Sequence, residues 1–377
     1  MGYKKIKSKT QLSGFYVSYF GSVMNEHKGI YGISHLMEHL VCKGIDDLMN
    51  TFEEEGISWN AWTSDREICF YMTGLDNNIK KWKKTFYERI TNFNITEEKF
   101  LNEKKIVIEE YKDSFNTQSE GHRKNLFRKI YGHYGAIGLL EDLETLTLKD
   151  CYDFFEKQYK KPNYIIDISR SSNSEKMNEF FNNVEYNDNM YDNDVIEFKI
   201  GDFPLEKGND YKDKTSIIYV SPVIEEDNAY VDFIAKMLGG GLKSPLYQEI
   251  REKRGLVYYV HCYQRDVTNK SGVILIETET SKDNADKVLA VIDEVIGNPS
   301  KYLTKKRFNI VKNNYKIKLK KENILLHSNG YKFIEPDNYL VEKIIDVVTY
   351  DKIKDVYEKY FNIKNFYKSI DSEEFKK

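Results

Sequence analysis

The stretch Gly29-Ile30-Tyr31-Gly32-Ile33-Ser34-His35-Leu36-Met37-Glu38-His39-Leu40-Val41 is the point from which the rest of the chain is read. Ile30, Ile33, Met37, Leu40 and Val41 recur at helical spacing, which predicts a mostly buried helix. His35 and His39 stand one turn apart on one side of that helix. Two imidazoles so placed can grip a single metal ion. Glu38, three residues after His35, shares that side and can reach a water on the metal. A zinc site with one position open for water does chemistry, whereas a closed one only holds structure. The competing reading is a pair of core histidines bonded to neighbours. Glu38 weighs against it, because a carboxylate on a buried face is costly unless it is paired or near a metal.

The pattern H-x-x-E-H at 35–39 is the inverted zinc-peptidase motif. Before it, residues 14–21 read as a strand closed by glycines. The motif helix is expected to stop at Gly44 with a left-handed cap. An amphipathic helix over 45–55 follows, with Leu48, Met49 and Phe52 inward. Residues 57–63 and 68–73 read as two strands around a charged turn. A helix over 78–92 carries Trp82, Phe86 and Ile90 in register. Thr96 is a good N-cap, and Glu97 and Glu98 suit the positive end of the helix it opens. On that helix Glu103 and Glu110 stand two turns apart and face the same way, with Ile106 and Val107 between them. Two readings stand on the residues alone. One is a solvated helix edge. The other makes Glu110 a third zinc ligand and Glu103 a group that orients a ligand from behind.

Composition bounds the answer. A chain of 377 residues is comfortable for two domains, and 40% hydrophobic with 31% charged residues allows a sizeable core beneath a solvated surface. A net charge of −3 gives no case for a nucleic-acid or anionic-membrane partner. The cysteines Cys42, Cys69, Cys151 and Cys262 are scattered, so neither a disulfide framework nor a cysteine metal site is indicated. Cys42, three residues after His39, reads as a small buried hydrophobe, with a soft ligand as the alternative. No secretory signal and no apolar run long enough to span a membrane is visible, so a reduced, cytoplasmic protein is expected.

Farther along, residues 113–138 are polar and glycine-containing, and read as a surface loop plus helix, with a mobile flap as the alternative. Thr147 opens another helix and residues 164–169 form a strand. The polar run at 187–194 is the expected linker. It gives an N-terminal domain at 1–186, a linker region at 187–210 and a C-terminal domain at 211–377. After it the order of elements repeats. A strand at 216–220 leads to a helix at 230–238 ended by Gly239-Gly240-Gly241. Ser244-Pro245 opens a further helix that ends at Gly255. Strands at 256–264 and 272–279 follow, then helices from Asp283 and Thr304. The second copy carries Phe233-Ile234-Ala235-Lys236-Met237 where the first carries its histidines.

With these motifs in order, the sequence resembles the M16 zinc peptidases, of the pitrilysin or mitochondrial processing peptidase type, over nearly its whole length. The resemblance rests on residues 32–40, on Asn60-Ala61-Trp62-Thr63, on residues 103–110 and on residues 239–258. It implies an α+β fold of two homologous domains, each a mainly antiparallel sheet packed with helices. It implies one zinc ion per chain, held by His35, His39 and Glu110, with Glu38 as general base and Glu103 as supporting acid. Arg251 and Tyr258 match the second-domain pair that contacts substrate, and Asn60 and Ala61 match the edge strand that receives the peptide. The implied activity is a zinc-dependent endopeptidase acting on peptides or unfolded polypeptide. The alternatives are a catalytic subunit of a heterodimeric processing peptidase and a non-catalytic scaffold subunit. Family members close four such domains around a chamber, so a homodimer is expected, with a heterodimer as the variant. The departures are Ile45 in place of a usual Thr, Ser244-Pro245-Leu246 in place of Ser-Ser-Arg, trimmed first-half loops and a shortened interval between His39 and Glu110.

Overall fold

A computed structural model describes residues 2–8, 10–21, 23–65, 67–115, 117–132, 134–188, 214–224, 227–266, 271–325, 345–370 and 374–376. The expected linker lies outside the described residues from position 189 onward. The backbone divides into two compact units. The first is built chiefly on Met1–Lys112 and His133–Tyr191, and the second on Asp113–Gly132, Asp192–Leu319 and Asp337–Lys377.

In chain order the first half runs β1 (Gly2–Lys7), β2 (Leu12–Phe20), α1 (Ile33–Lys43), α2 (Met49–Glu54), β3 (Ser58–Thr63), β4 (Glu67–Leu75), α3 (Asp76–Thr91), α4 (Glu97–Asp113), α5 (Gln118–Tyr131), α6 (Leu140–Thr145), α7 (Leu148–Gln158), β5 (Tyr164–Ser169) and α8 (Glu175–Asn182). Its five strands form one sheet in the order β1-β5-β2-β4-β3. Only the β1–β5 pair is parallel among them. Side chains alternate across β2, so Phe15, Val17 and Tyr19 bury on one face and Tyr16 and Ser18 on the other. Phe15 meets Phe86 of α3 edge-on and Tyr19 meets Tyr159 just past α7, so the first face carries the helices. β3 lies at the end of the strand order and has β4 as its neighbour on one side only.

The second half runs β6 (Lys214–Ile224), α9 (Asn228–Gly239), β7 (Val260–Asp266), β8 (Ser271–Ser281), α10 (Ala285–Gly297), α11 (Pro299–Tyr302), α12 (Lys305–Leu325), α13 (Tyr350–Tyr360), β9 (Tyr367–Ile370) and β10 (Glu374–Lys376). These strands form a second sheet in the order β10-β9-β6-β8-β7. The run β2-β4-β3 of the first sheet and β6-β8-β7 of the second share one plan, strand, helix, then a hairpin, so the repeat in the sequence is a repeat in topology. Pro222 sits within β6, where it is tolerated because pairing with β9 ends at Val220. The core of this unit gathers Tyr219, Phe233, Ile234, Met237, Ile276, Ile292 and Tyr357.

Several local expectations are corrected. Gly44 is right-handed, with φ −69°; its N–H turns back to the Val41 carbonyl and that of Ile45 to the Cys42 carbonyl, and no left-handed cap forms. The helix expected over 45–55 is a 3₁₀ turn, Asp46–Leu48, followed by the short α2, and Met49 is exposed. The strand expected from Leu256 begins at Val260. The helix after Ser244-Pro245 is π-helical over Tyr247–Glu252, a widened turn that recurs at functional sites. Residues 118–131, within the stretch read as a surface loop plus helix, form α5, which belongs to the second unit.

Candidate metal centre

α1 forms because Ile33, Leu36, Met37, Leu40 and Val41 repeat at three- and four-residue intervals and bury together. The remaining side carries His35, Glu38 and His39, all half-buried. The start of α1 is held from outside the helix. Glu26 accepts from the N–H groups of Gly32 (2.8 Å) and Ser34 (2.9 Å), and Asp142 accepts from those of Gly29 (2.8 Å) and Tyr31 (3.0 Å). Two carboxylates thus serve the unpaired donors at the positive end of the helix. Gly32 lies at φ +99° and Gly138 at φ +75°, and a Cβ on Gly138 would come within 2.3 Å of the Gly32 Cα. The two backbones cross because neither has a side chain.

α4 presents its acids to this side. Phe100, Glu103, Val107 and Tyr111 form its buried stripe, so Glu103 is an acid in a core position, only 5% exposed. Glu110 stands at the rim, and Ile106, expected between the two acids in the core, is exposed. Thr96 caps the helix, accepting from Lys99 N at 3.3 Å.

Among the described residues, one group of three ligand-bearing side chains converges closely enough to hold a metal ion: His35, His39 and Glu110, with their donor atoms within 4.8 Å of one another. Glu110 Oε2 lies 3.4 Å from His35 Nε2 and 3.6 Å from His39 Nε2. These separations exceed the usual hydrogen-bond length of about 2.9–3.0 Å. They match the spacing of about 3.3 Å between ligand atoms around a tetrahedral zinc with bonds of about 2.0–2.1 Å. The donor set, two imidazoles and a carboxylate, suits the same ion. The two rings meet edge to face, with centroids 4.8 Å apart.

Glu103 Oε2 lies 3.2 Å from His39 Nδ1, and its other oxygen is 3.4 Å from Lys43 Nζ. A carboxylate only accepts, so Nδ1 carries the hydrogen of this bond, which leaves Nε2 as the nitrogen that would hold a metal. Glu38 is bonded by the Thr63 hydroxyl from the end of β3. Burial raises the pKa of Glu38 above its ordinary value and the nearby Glu110 adds to this, while the Thr63 bond and His39 oppose it. Cys42 lies outside the group of three, and burial pushes its thiol up, with Glu38 and Glu103 adding to the shift.

Asn60 and Ala61 lie on the edge strand β3. The Asn60 side-chain oxygen accepts from the Ala61 N–H at 2.8 Å, so that donor is turned away from β4. Arg251 and Tyr258 lie in the second unit and meet there. The Arg251 guanidinium stacks between the rings of Tyr247 (4.8 Å) and Tyr258 (4.9 Å), and Tyr258 is 80% exposed. The sequence reading placed Thr63 on the peptide-receiving strand but did not connect it to Glu38, and it gave no role to Tyr247, Glu26 or Asp142. Alternation from Ala61 places Thr63 on the same face of β3, which was a usable signal. Glu26 and Asp142 act on backbone groups across loops, which leave no periodic trace.

Comparison with known proteins gives the family. Residues 7–137 match the family model described as Insulinase (Peptidase family M16), and residues 145–315 match that of the Peptidase M16 inactive domain. The chain belongs to the M16 peptidase family. A relative named "Uncharacterized zinc protease" in Rickettsia felis is 24% identical over 354 residues, covering 86% of this chain and 83% of its own. "Zinc protease PqqE" of Helicobacter pylori is 25% identical over 292 residues, covering 72% of this chain and 66% of its own. Among solved structures, a protease from Helicobacter pylori superposes with a TM-score of 0.77 at 18% identity, over 98% of this chain and 96% of that one. An M16 inactive domain from Pseudomonas fluorescens gives a TM-score of 0.78 at 16% identity, over 98% and 94%. These likenesses establish the two-domain M16 fold, with mixed helices and antiparallel sheets. The model described as inactive falls on residues 145–315, the part of the chain without the His35–His39 pair. No helix among the described residues is long and apolar enough to cross a membrane.

Proposed function

We propose that this M16 chain is a zinc-dependent endopeptidase that hydrolyses peptides or unfolded protein segments, with His35, His39 and Glu110 holding the metal. The observation that carries the reading is the convergence of the two imidazole nitrogens on one oxygen of Glu110, at 3.4 and 3.6 Å. Bound zinc supplies Lewis acidity to the attacking water and to the scissile carbonyl. Glu38 takes the proton of that water and passes it to the leaving amine nitrogen. Its partly desolvated carboxylate suits this exchange, since burial raises its proton affinity toward the working range. Glu103 fixes the His39 ring through Nδ1. The peptide is laid along the open edge of β3 beside Asn60 and Ala61, so backbone bonds give affinity and varied side chains are tolerated. Arg251, braced between two tyrosines, and Tyr258 hold substrate carbonyls.

The test is metal analysis of the purified chain, with digestion of a peptide library with and without a chelator. The expected outcome is one zinc per chain and cleavage abolished by the chelator. Glu38→Gln keeps the zinc and lowers kcat at least about 100-fold. Equal cleavage by Glu38→Gln and wild type removes Glu38 from the mechanism. A second reading, a catalytic subunit that needs an unlike partner, takes support from the relative named "Probable mitochondrial-processing peptidase subunit beta" in Schizosaccharomyces pombe, 24% identical over 155 residues, 39% of this chain. Cleavage by the purified chain alone decides between the two.

A further inference from the structure

The structure joins the proposed base to the proposed peptide-binding strand through one hydrogen bond. The hydroxyl of Thr63 donates to Oε2 of Glu38. Thr63 is the last residue of β3, paired with Ile68 of β4, and β3 is the end strand of its sheet. Alternation along β3 puts Thr63 and Ala61 on one face and Trp62 and Asn60 on the other. On that other face the Trp62 ring packs against Tyr71, with centroids 5.2 Å apart, and its N–H donates to Glu67 at 3.2 Å. On its other side the Ser64 hydroxyl donates to the Glu67 carbonyl and accepts from the Glu67 N–H, so both neighbours of Thr63 are held, and its β-branched side chain has few rotamers.

We infer that Thr63 is a positioning residue for Glu38: its hydroxyl occupies one carboxylate oxygen and aims the other at the attacking water. The inference rests on the peptidase reading above and adds to it a coupling within the site. A general base must stand within hydrogen-bond reach of the proton it removes, and a carboxylate on three rotatable bonds does not hold that aim unaided. One bonded oxygen removes that freedom at little cost. The residue that supplies the bond ends the strand along which the peptide is proposed to lie, so the register of the peptide and the aim of the base are set by one element. Substrate that is out of register on β3 then pulls on the residue that orients the base.

The variants are Thr63→Val, which keeps the shape and loses the hydroxyl, and Thr63→Ser, which keeps the hydroxyl. In Thr63→Val, zinc content and KM are expected to stay near wild type while kcat falls about 100-fold, as for a reacting group about 1 Å out of place. Thr63→Ser is expected to return kcat to within about threefold of wild type. A kcat unchanged in Thr63→Val overturns the inference, as does a rise in KM shared by both variants, which assigns Thr63 to peptide binding alone. A readout free of turnover is a double-mutant cycle of Thr63→Val and Glu38→Ala on urea unfolding of the zinc-free chain. Non-additive midpoints are expected, and additive ones overturn the contact. Should wild type cleave nothing while the midpoints are non-additive, the peptidase reading fails and the Thr63–Glu38 contact stands; the positioning role falls with the reading.

Discussion

Glu26 holds the first turn of α1 without belonging to it. Its two oxygens each accept a backbone N–H, an arrangement that favours the anion, yet the side chain is half-buried. Burial is the larger influence and pushes it up to about 8, with Asp142 adding to the rise and the N–H groups opposing it. The sign follows. An acid raised on folding binds its proton more tightly in the folded state, so its contribution is full below the ordinary value of 4.5 and is lost as pH rises toward about 8. Across that window the first unit should lose up to about 1.4 kcal/mol per pH unit from this group. All three tryptophans, Trp59, Trp62 and Trp82, lie in the first unit, so tryptophan fluorescence on urea unfolding reports on it. Glu26→Gln is expected to flatten the fall between pH 5 and pH 8 relative to wild type. Parallel curves for the two proteins would show that Glu26 keeps its charge throughout. The same residue marks a limit of the sequence. The histidines and Glu38 are legible because a helix imposes a period on them, whereas a carboxylate nine residues upstream reaches α1 through a loop and imposes none.

α5 makes the corresponding case for elements. Its sequence is polar and contains Gly121, so taken alone it yields only a surface loop plus a helix without bounds. Its apolar residues Leu126 and Ile130 bury against Ile218, Val220, Val273 and Leu275, on strands about a hundred residues away. Tertiary packing, not propensity, makes the helix. The motif helix, the β3–β4 hairpin and α4 were legible because each carries its own period, and α4 has its own cap in Thr96. The π-helical turn at Tyr247–Glu252 and the right-handed Gly44 were not, because both depend on how neighbouring elements pack. α5 also carries His122, which lies 2.9 Å from Ser216 Oγ on β6 and 2.6 Å from Ser369 Oγ on β9. Burial depresses its pKa to about 3, so the folded state refuses a proton that the unfolded chain accepts below about 6.5. Stability from this group is full above the ordinary value and is lost as pH falls through that window. Hydrogen exchange of peptides covering α5 is expected to rise steeply between pH 6 and pH 4, after correction for the intrinsic rate. His122→Gln, which cannot charge, should remove most of that rise. An unchanged pH dependence in His122→Gln would place the acid-sensitive group elsewhere.

At the scale of the molecule, two units share one plan and divide the chemistry. The first holds the convergent ligands. The second has, on its equivalent helix, a purely structural polar set in which Asp232 bonds both Lys236 and the Tyr315 hydroxyl of α12. What the second unit offers is the braced guanidinium of Arg251 and the protruding ring of Tyr258, a large aromatic surface left in water. The resemblance to M16 peptidases implies four such units around a chamber, which takes two chains of this kind, so we predict a homodimer in which Arg251 and Tyr258 of one chain serve the metal site of the other. Sedimentation should give a dimer at the concentrations where cleavage is seen. Mixing supplies the sharper test. Glu38→Gln and Arg251→Ala should each be nearly inactive alone. If the pair works across chains, a mixed dimer rebuilds one intact site, from the Glu38 of one chain and the Arg251 of the other. Random exchange then restores about a quarter of wild-type activity, since half the dimers are mixed and each has one good site of two. If both groups serve the site of their own chain, no mixing ratio restores anything, because every site lacks either the base or the guanidinium.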